Sequence, residues 1–177
     1  MSKQPLPSCQ NLSKQLIASH LVSGEMSAGS EIQLQVDQVL MQDALSTLTM
    51  QALEAMGIEE IAVALACQYV DHNLLQTDFR NHDDHLFLQS YCERLGIHYS
   101  GPGNGISHPT HQEYFSIPGK LLVGTDSHTP ANGSMGMLAI GVGSIEGASI
   151  LAGEPLSISM PEVMGVYVSG QMPEWVS

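Results

Sequence analysis

Three places in the chain bring carboxylates, imidazoles and a hydroxyl together directly after an apolar run. In Lys120 to Gly143, KLLVGTDSHTPANGSMGMLAIGVG, an apolar strand leads into Asp126, Ser127 and His128 and then into a glycine-rich segment. Asp71 and His72 follow the apolar run Ile58 to Val70, and His108 lies in GPGNGISHP. Open α/β sheets form their ligand crevices at the carboxyl ends of strands, so these side chains are placed for proton transfer to and from a bound molecule. A carboxylate beside an imidazole, as in Asp71-His72, can hold the ring's tautomer or raise its pKa. Adjacent Asp126, Ser127 and His128 point in different directions and do not form a hydrolytic triad in line, and no GxSxG elbow surrounds Ser127.

The elements that must position these residues alternate between helix and strand. Leu12, Leu16, Ile17 and Leu21 form one stripe of a helix over Leu12 to Val22, and SGEMSAGSE breaks it. EIQLQV alternates as a strand. A helix is expected from about Val39 to Met56, ended by Gly57, and a buried strand within Ile58 to Val70. The next helix runs from about Asp83 to Leu95, with acids in its first turn and Gly96 closing it. IHYS reads as a short strand, Pro109 to Phe115 as a short helix, and Leu121 to Thr125 as a strand entered through Pro118-Gly119. Helices near Ser134 to Ile140 and Ser144 to Ala152 and a last strand, Glu162 to Val168, complete the set. Such alternation argues for a single α/β domain over residues 1–177, with a largely parallel sheet covered by helices on both faces in three α/β/α layers. The tail SGQMPEWVS lacks a closing element, and truncation at the C-terminus is expected.

Composition narrows the classes. Eighteen acidic against five basic residues give a formal net charge of -13, which leaves no basic footprint for nucleic acid. No apolar run approaches the roughly 18 residues that cross a bilayer, and MSKQPLPSCQ lacks the apolar core of a secretory signal. A cytoplasmic protein without membrane or nucleic-acid partners is therefore expected. Cys9, Cys67 and Cys92 are odd in number and far apart, so they read as reduced thiols, Cys67 as a small buried hydrophobe in AVALACQYV. Two histidine pairs, His82/His85 and His108/His111, have i,i+3 spacing compatible with a metal on one helix face. The bland readings are an exposed polar helix start for the first pair and a solvated or hydrogen-bonded His111, and no metal site is assigned. Glycines 133, 136, 141, 143 and 147 match neither phosphate-loop pattern. They read as close helix-on-sheet packing, with anion binding by the amides after His128 second.

Four ordered segments carry a resemblance: VDQVLMQDA, YVDHNLLQTDF, GPGNGISHPTHQEYF with PGKLLVGTDSHTP, and MGMLAIGVGSIEGASILAG. Together, from about Leu12 to the end, the chain resembles the N-terminal part of the aconitase-type iron-sulfur hydro-lyases. DHNLLQT makes it look most like the bacterial-type aconitate hydratases. The family also includes homoaconitase and the isopropylmalate dehydratase large subunit.

The resemblance implies a reversible dehydration of citrate and isocitrate through cis-aconitate, with homocitrate or isopropylmalate as alternative substrates. Removing water from a β-hydroxy acid needs a base, an acid for the hydroxide and a Lewis acid on its oxygen. It further implies that His72 donates the proton with Asp71 as its partner, that Asp126, His128 and His108 hold the solvent and substrate network, and that Ser127 and Gln42 bind substrate. Pro109 biases His108 away from helical geometry, which would shift its ring. In the family, three cysteines from a later segment hold a [4Fe-4S] cluster. No segment here matches them, nor the later serine base and arginines. Di- and tricarboxylates are usually gripped by arginine forks, and this chain has only Arg80 and Arg94. An N-terminal, acid-bearing part that is inactive alone is thus expected, and as the alternative a non-catalytic fragment or partner subunit that binds a companion chain.

Overall fold

Five parallel strands set the positions of everything that follows, and the middle one is the most hidden in the sequence. In the computed structural model, which describes residues 11–176, Gln38–Gln42 is a strand buried at all five positions. A central parallel strand is apolar on both faces, so QVLMQ shows no alternation and merges with the helical pattern after it. The expected helix from Val39 is thus corrected to a strand followed by a helix.

In chain order the elements are α1 (Leu12–His20), β1 (Leu21–Gly24), β2 (Glu31–Leu34), β3 (Gln38–Gln42), α2 (Asp43–Ala55), β4 (Leu65–Tyr69), α3 (Arg80–Leu95) and β5 (His98–Ser100). There follow α4 (Ser107–Tyr114), β6 (Leu121–Gly124), a 3-10 helix (Thr129–Met135), β7 (Leu138–Gly141), α5 (Ser144–Leu151) and β8 (Leu156–Ser159). The expectation of a helix over Ser134 to Ile140 therefore fails in its second half, where β7 pairs in parallel with β6. The strand expected at Glu162 to Val168 is also absent, since that stretch is irregular and largely exposed. Leu156–Ser159 pairs with β2 instead.

The parallel sheet has the order β5-β4-β3-β6-β7. The chain moves outward from β3 to β5, then returns to the other side of β3 as β6, so connections diverge between β3 and β6, where α/β sheets bind ligands. Helices cover both faces, as expected. Val39, Met41, Ala66, Leu121 and Val123 point into one cluster with Met50 and Leu53 of α2, Leu88 and Cys92 of α3, and Ala148 and Leu151 of α5. Leu40, Cys67, Tyr69 and Leu122 point the other way, toward Met137 and Phe115.

A second sheet, antiparallel with the order β1-β2-β8, was not expected. Its Ile32, Leu34 and Leu156 join the first cluster, so one continuous core serves both sheets. Asp37, between β2 and β3, ties this end of the sheet by accepting from His20 Nε2, Lys120 Nζ and the Leu121 amide.

Glycines allow close approaches at the carboxyl edge; of those expected to serve packing, Gly141 and Gly147 do so, whereas an added Cβ on Gly133 or Gly143 meets nothing within 4 Å. A Cβ on Gly124 would run into the Thr129 side chain, one on Gly141 into the Asp126 carbonyl oxygen, and one on Gly147 would lie 2.9 Å from the Thr125 methyl. Gly141→Ala should therefore cost about 1–3 kcal/mol through overpacking, read as a lower urea midpoint at unchanged slope. Gly133→Ala, where an added Cβ meets nothing within 4 Å, should stay within about 0.5 kcal/mol of the parent.

Candidate active site

The carboxyl ends of β3, β4 and β6 meet through carboxylates. Asp43, the first residue of α2, is buried, and its charge complements the helix N-terminus. Its Oδ1 accepts the amides of Asp71 at 3.1 Å and His72 at 2.9 Å, and its Oδ2 accepts the Asn73 amide at 2.8 Å and His85 Nε2–H at 3.0 Å. Burial pushes the Asp43 carboxyl upward, but the amides of His72 and Asn73, the His85 ring and the Asp71 amide outweigh it and hold the group below its ordinary value.

That anchor fixes the loop after β4. Asp71 Oδ1 accepts His72 Nδ1–H at 2.7 Å, while Oδ2 accepts the Ser107 amide at 2.6 Å, at the start of α4. The Asp71 side chain is 3% exposed and that of His72 41%. The carboxylate thus sets the His72 tautomer and leaves Nε2 as the ring nitrogen without a partner among the described residues. Because Asp71 also caps α4, the His72 loop and His108 on α4 are tied together.

His108 lies one residue further along α4. Its Nε2–H donates to Asp126 Oδ2 at 2.9 Å, and Asn132 Nδ2 donates to its Nδ1 at 3.1 Å. Asp126 also accepts the Thr129 hydroxyl on Oδ1 at 2.8 Å. Burial raises the Asp126 carboxyl, yet the bonds from His108 and Thr129 and the nearby rings of His108 and His128 leave it below its usual value. Pro109 does not displace the imidazole: it occupies the first turn of α4, where a missing N–H is tolerated. The rings of His108 and His128 approach edge to face at 6.3 Å, and His128 and Ser127 are exposed.

Asp126 and Ser127 line an open groove of ≈ 870 Å³ together with Leu45, Gly141, Ser144 and Glu146. Its walls carry no cation. Arg80 faces Asp78 at 3.8 Å and Arg94 stacks on Tyr91 at 4.7 Å, so neither supplies an anion clamp to the groove.

Sequence reasoning misplaced several polar residues. Gln42 ends β3 rather than lying on a helix and is 2% exposed; its Oε1 accepts the Ala44 amide at 2.7 Å and caps α2. His82 is exposed, as its bland reading held, but His85 is buried against Asp43. His108 and His111 do not share a site. His111 is buried between the Tyr69 hydroxyl at 3.1 Å and Gln38 Oε1 at 3.0 Å, and burial, then the nearby His108, push it down to about 4. Asp43, Thr129 and Asn132 were missed altogether. The only signal for Asp43 was an acid at the start of a helix, concealed by the strand before it.

No pair of described thiols fits an iron-sulfur cluster. Cys67 and Cys92 are buried in different clusters, and burial pushes each up to about 12, so neither offers a thiolate. Cys9 lies outside the described residues.

Comparison with known proteins gives a family match. The family model for the Aconitase family (aconitate hydratase) matches residues 14–177. The chain is 34% identical over 179 residues to the mitochondrial aconitate hydratase of Schizosaccharomyces pombe, covering 93% of this chain and 23% of that protein. It is 33% identical to the mitochondrial homocitrate dehydratase of Saccharomyces cerevisiae, with the same coverage. To the mitochondrial aconitate hydratase of Candida albicans it is 32% identical, over 84% of this chain and 20% of that protein. The chain therefore spans less than a quarter of the length of these relatives. Their mitochondrial names overturn the expectation of a cytoplasmic protein; the criteria behind it test secretory and membrane-spanning segments, not organelle addressing.

Asp43→Asn should cost about 2–4 kcal/mol, because the amide places a donor against amides that need an acceptor. The parent carboxyl lies lower folded than unfolded, so its contribution is complete above the unfolded value of 3.8 and is lost as pH falls through the folded one. Urea titrations at falling pH should therefore show a shallower acid loss in the variant than in the parent.

Proposed function

The chain belongs to the aconitase family, and on that premise we propose that it supplies the proton-donating wall of a hydro-lyase site for hydroxy di- and tricarboxylates of the citrate and isocitrate class. The observation that carries this reading is the Asp71-His72 pair, held by Asp43 at a strand end and joined through Ser107 to the His108-Asp126 pair. His72 Nε2 gives a proton to the departing hydroxyl. Asp71 keeps Nδ1 protonated and the ring oriented, which makes it a positioning residue. His108 and Asp126 hold the solvent that accepts or supplies protons beside the reacting carbon, with His128 closing that side, while the Ser127 hydroxyl faces a substrate carboxylate. Gln42, with its Oε1 committed to α2, offers its amide N–H groups to the substrate.

Homocitrate remains within the same class, given a relative named homocitrate dehydratase. We assign the [4Fe-4S] cluster, the base and the anion clamp to segments outside this chain, since the described thiols do not fit a cluster and the groove walls hold no cation. Leu45, Leu48 and Ile145, exposed at 42%, 51% and 56% beside the groove, favour a face that is covered in use. They also support the second reading, a non-catalytic piece that docks on a companion chain.

The two readings separate in a family hydro-lyase whose homologous segment is replaced by residues 11–176. His72→Asn should lower kcat for cis-aconitate hydration about 10²–10⁴-fold with little change in KM. Equal rates for the parent and the variant chimera would favour the docking reading.

A further inference from the structure

Thr129 closes a circuit of hydrogen bonds around His108. Its carbonyl oxygen accepts from Asn132 Nδ2 at 3.4 Å, and the same Nδ2 donates to His108 Nδ1 at 3.1 Å. His108 Nε2–H donates to Asp126 Oδ2 at 2.9 Å, and Asp126 Oδ1 accepts the Thr129 hydroxyl at 2.8 Å. Thr129 and Asn132 both belong to the 3-10 helix after β6, and both are fully buried.

The hydrogens in this circuit follow from its fixed acceptor. A carbonyl only accepts, so the Asn132 amide must present Nδ2 to Thr129. Its Oδ1 has no partner among the described residues, and nothing there pulls the amide over. The amide nitrogen carries two hydrogens and accepts none, and both are used, one on the carbonyl and one on the imidazole. Nδ1 is therefore the bare, accepting nitrogen of His108, and Nε2 carries the hydrogen. Asp126 by itself would favour a doubly protonated ring, since a carboxylate stabilises a neighbouring imidazolium. Asn132 opposes this, because a hydrogen on Nδ1 would meet its amide hydrogen. The other titratable groups around the ring are His128 on the turn after β6, Asp71 through the Ser107 amide, and His111 on the same helix. None of them is hydrogen-bonded to Nδ1.

We propose that Asn132 is a positioning residue that keeps His108 as the neutral Nε2–H imidazole, so that His108 acts on the solvent beside the reacting carbon only through the Asp126 carboxylate. The inference rests on the hydro-lyase reading for what the pair does in a reaction, and not for where its hydrogens lie. With both nitrogens committed inside the protein, this ring carries no proton between bulk water and the groove. It orients Asp126 and leaves the negative charge of the pair on that carboxylate, which lines the groove. Proton movement on this wall then falls to His72 and to solvent at Asp126 and His128.

Long-range nitrogen–hydrogen NMR of the histidine rings in the purified 177-residue chain tests this, with the His108 signals assigned by their absence in His108→Gln. In the parent at neutral pH, Nδ1 should show the shift of a bare imidazole nitrogen and Nε2 that of a protonated one. Asn132→Asp places an acceptor against Nδ1, and because imidazole is a stronger base than a carboxylate the ring should gain a second hydrogen and lose the bare-nitrogen shift. Gln112→Ala is the structural control. Gln112 Nε2 holds the same 3-10 helix through the Ala131 carbonyl and the Ser134 hydroxyl without bonding His108, so its His108 signals should match the parent's. A parent ring with hydrogen on Nδ1, an Asn132→Asp ring that stays bare there, or a Gln112→Ala ring altered in the same way as Asn132→Asp would each overturn the proposal. Should Asn132→Asp fail to fold, the parent signals decide alone. The measurement reads ring hydrogens and not turnover, so its failure would leave the hydro-lyase reading standing, and equal rates for the His72→Asn and parent chimeras would leave the ring assignment standing.

Discussion

One buried carboxylate determines where the chemistry-bearing side chains sit. Removing a carboxylate from water costs several kcal/mol, and Asp43 is affordable only because four donors converge on it. Charge-assisted hydrogen bonds contribute about 1.5–3 kcal/mol each, so three amides and one imidazole outweigh the burial, in agreement with the lowered carboxyl. Those donors come from the loop after β4 and from α3. The Asp43 carboxylate therefore determines the path of residues 71–73, and with it the direction of the His72 ring.

The second and third carboxylates extend this arrangement across the sheet edge. Asp71 spans from His72 to the first amide of α4, and Asp126 receives the imidazole that α4 carries. The β3/β6 divergence supplies the crevice, and the glycines at 124, 141 and 147 let the Asp126–Thr129 turn settle against β7 and α5. A rigid scaffold with exposed imidazole tips suits the proton transfer proposed for this site. In the proposed reading, the grip on an anionic substrate falls to groups outside the described residues, since the groove walls carry no cation.

Much of this was legible in the sequence. Parallel α/β layers, α3 with its Gly96 stop, α5, and the Asp-His and Asp-Ser-His strand ends all follow from periodicity and turn chemistry, because each involves a local signal. Cys67 was recognised as a buried thiol for the same reason. The failures share a cause in long-range partnership. β3 is buried on both faces and so lacks alternation; β7 and β8 are strands because β6 and β2 offer free edges, whereas Glu162 to Val168 pairs with no edge despite its apolar residues. His85 looked solvated because its partner, the Asp43 carboxylate, depends on where the strand before α2 ends. Pro109 looked disruptive only while the first turn of α4 was placed two residues too late.

The central claim is that Asp43 holds the loop bearing His72, and amide hydrogen exchange of the parent chain and Asp43→Asn tests it most directly. Exchange at Asp71, His72 and Asn73 should become faster in the variant, by more than the global loss of stability explains, while Ala66 to Gln68 in β4 follow the global change alone. Unaltered protection of the three loop amides relative to β4 would contradict the account.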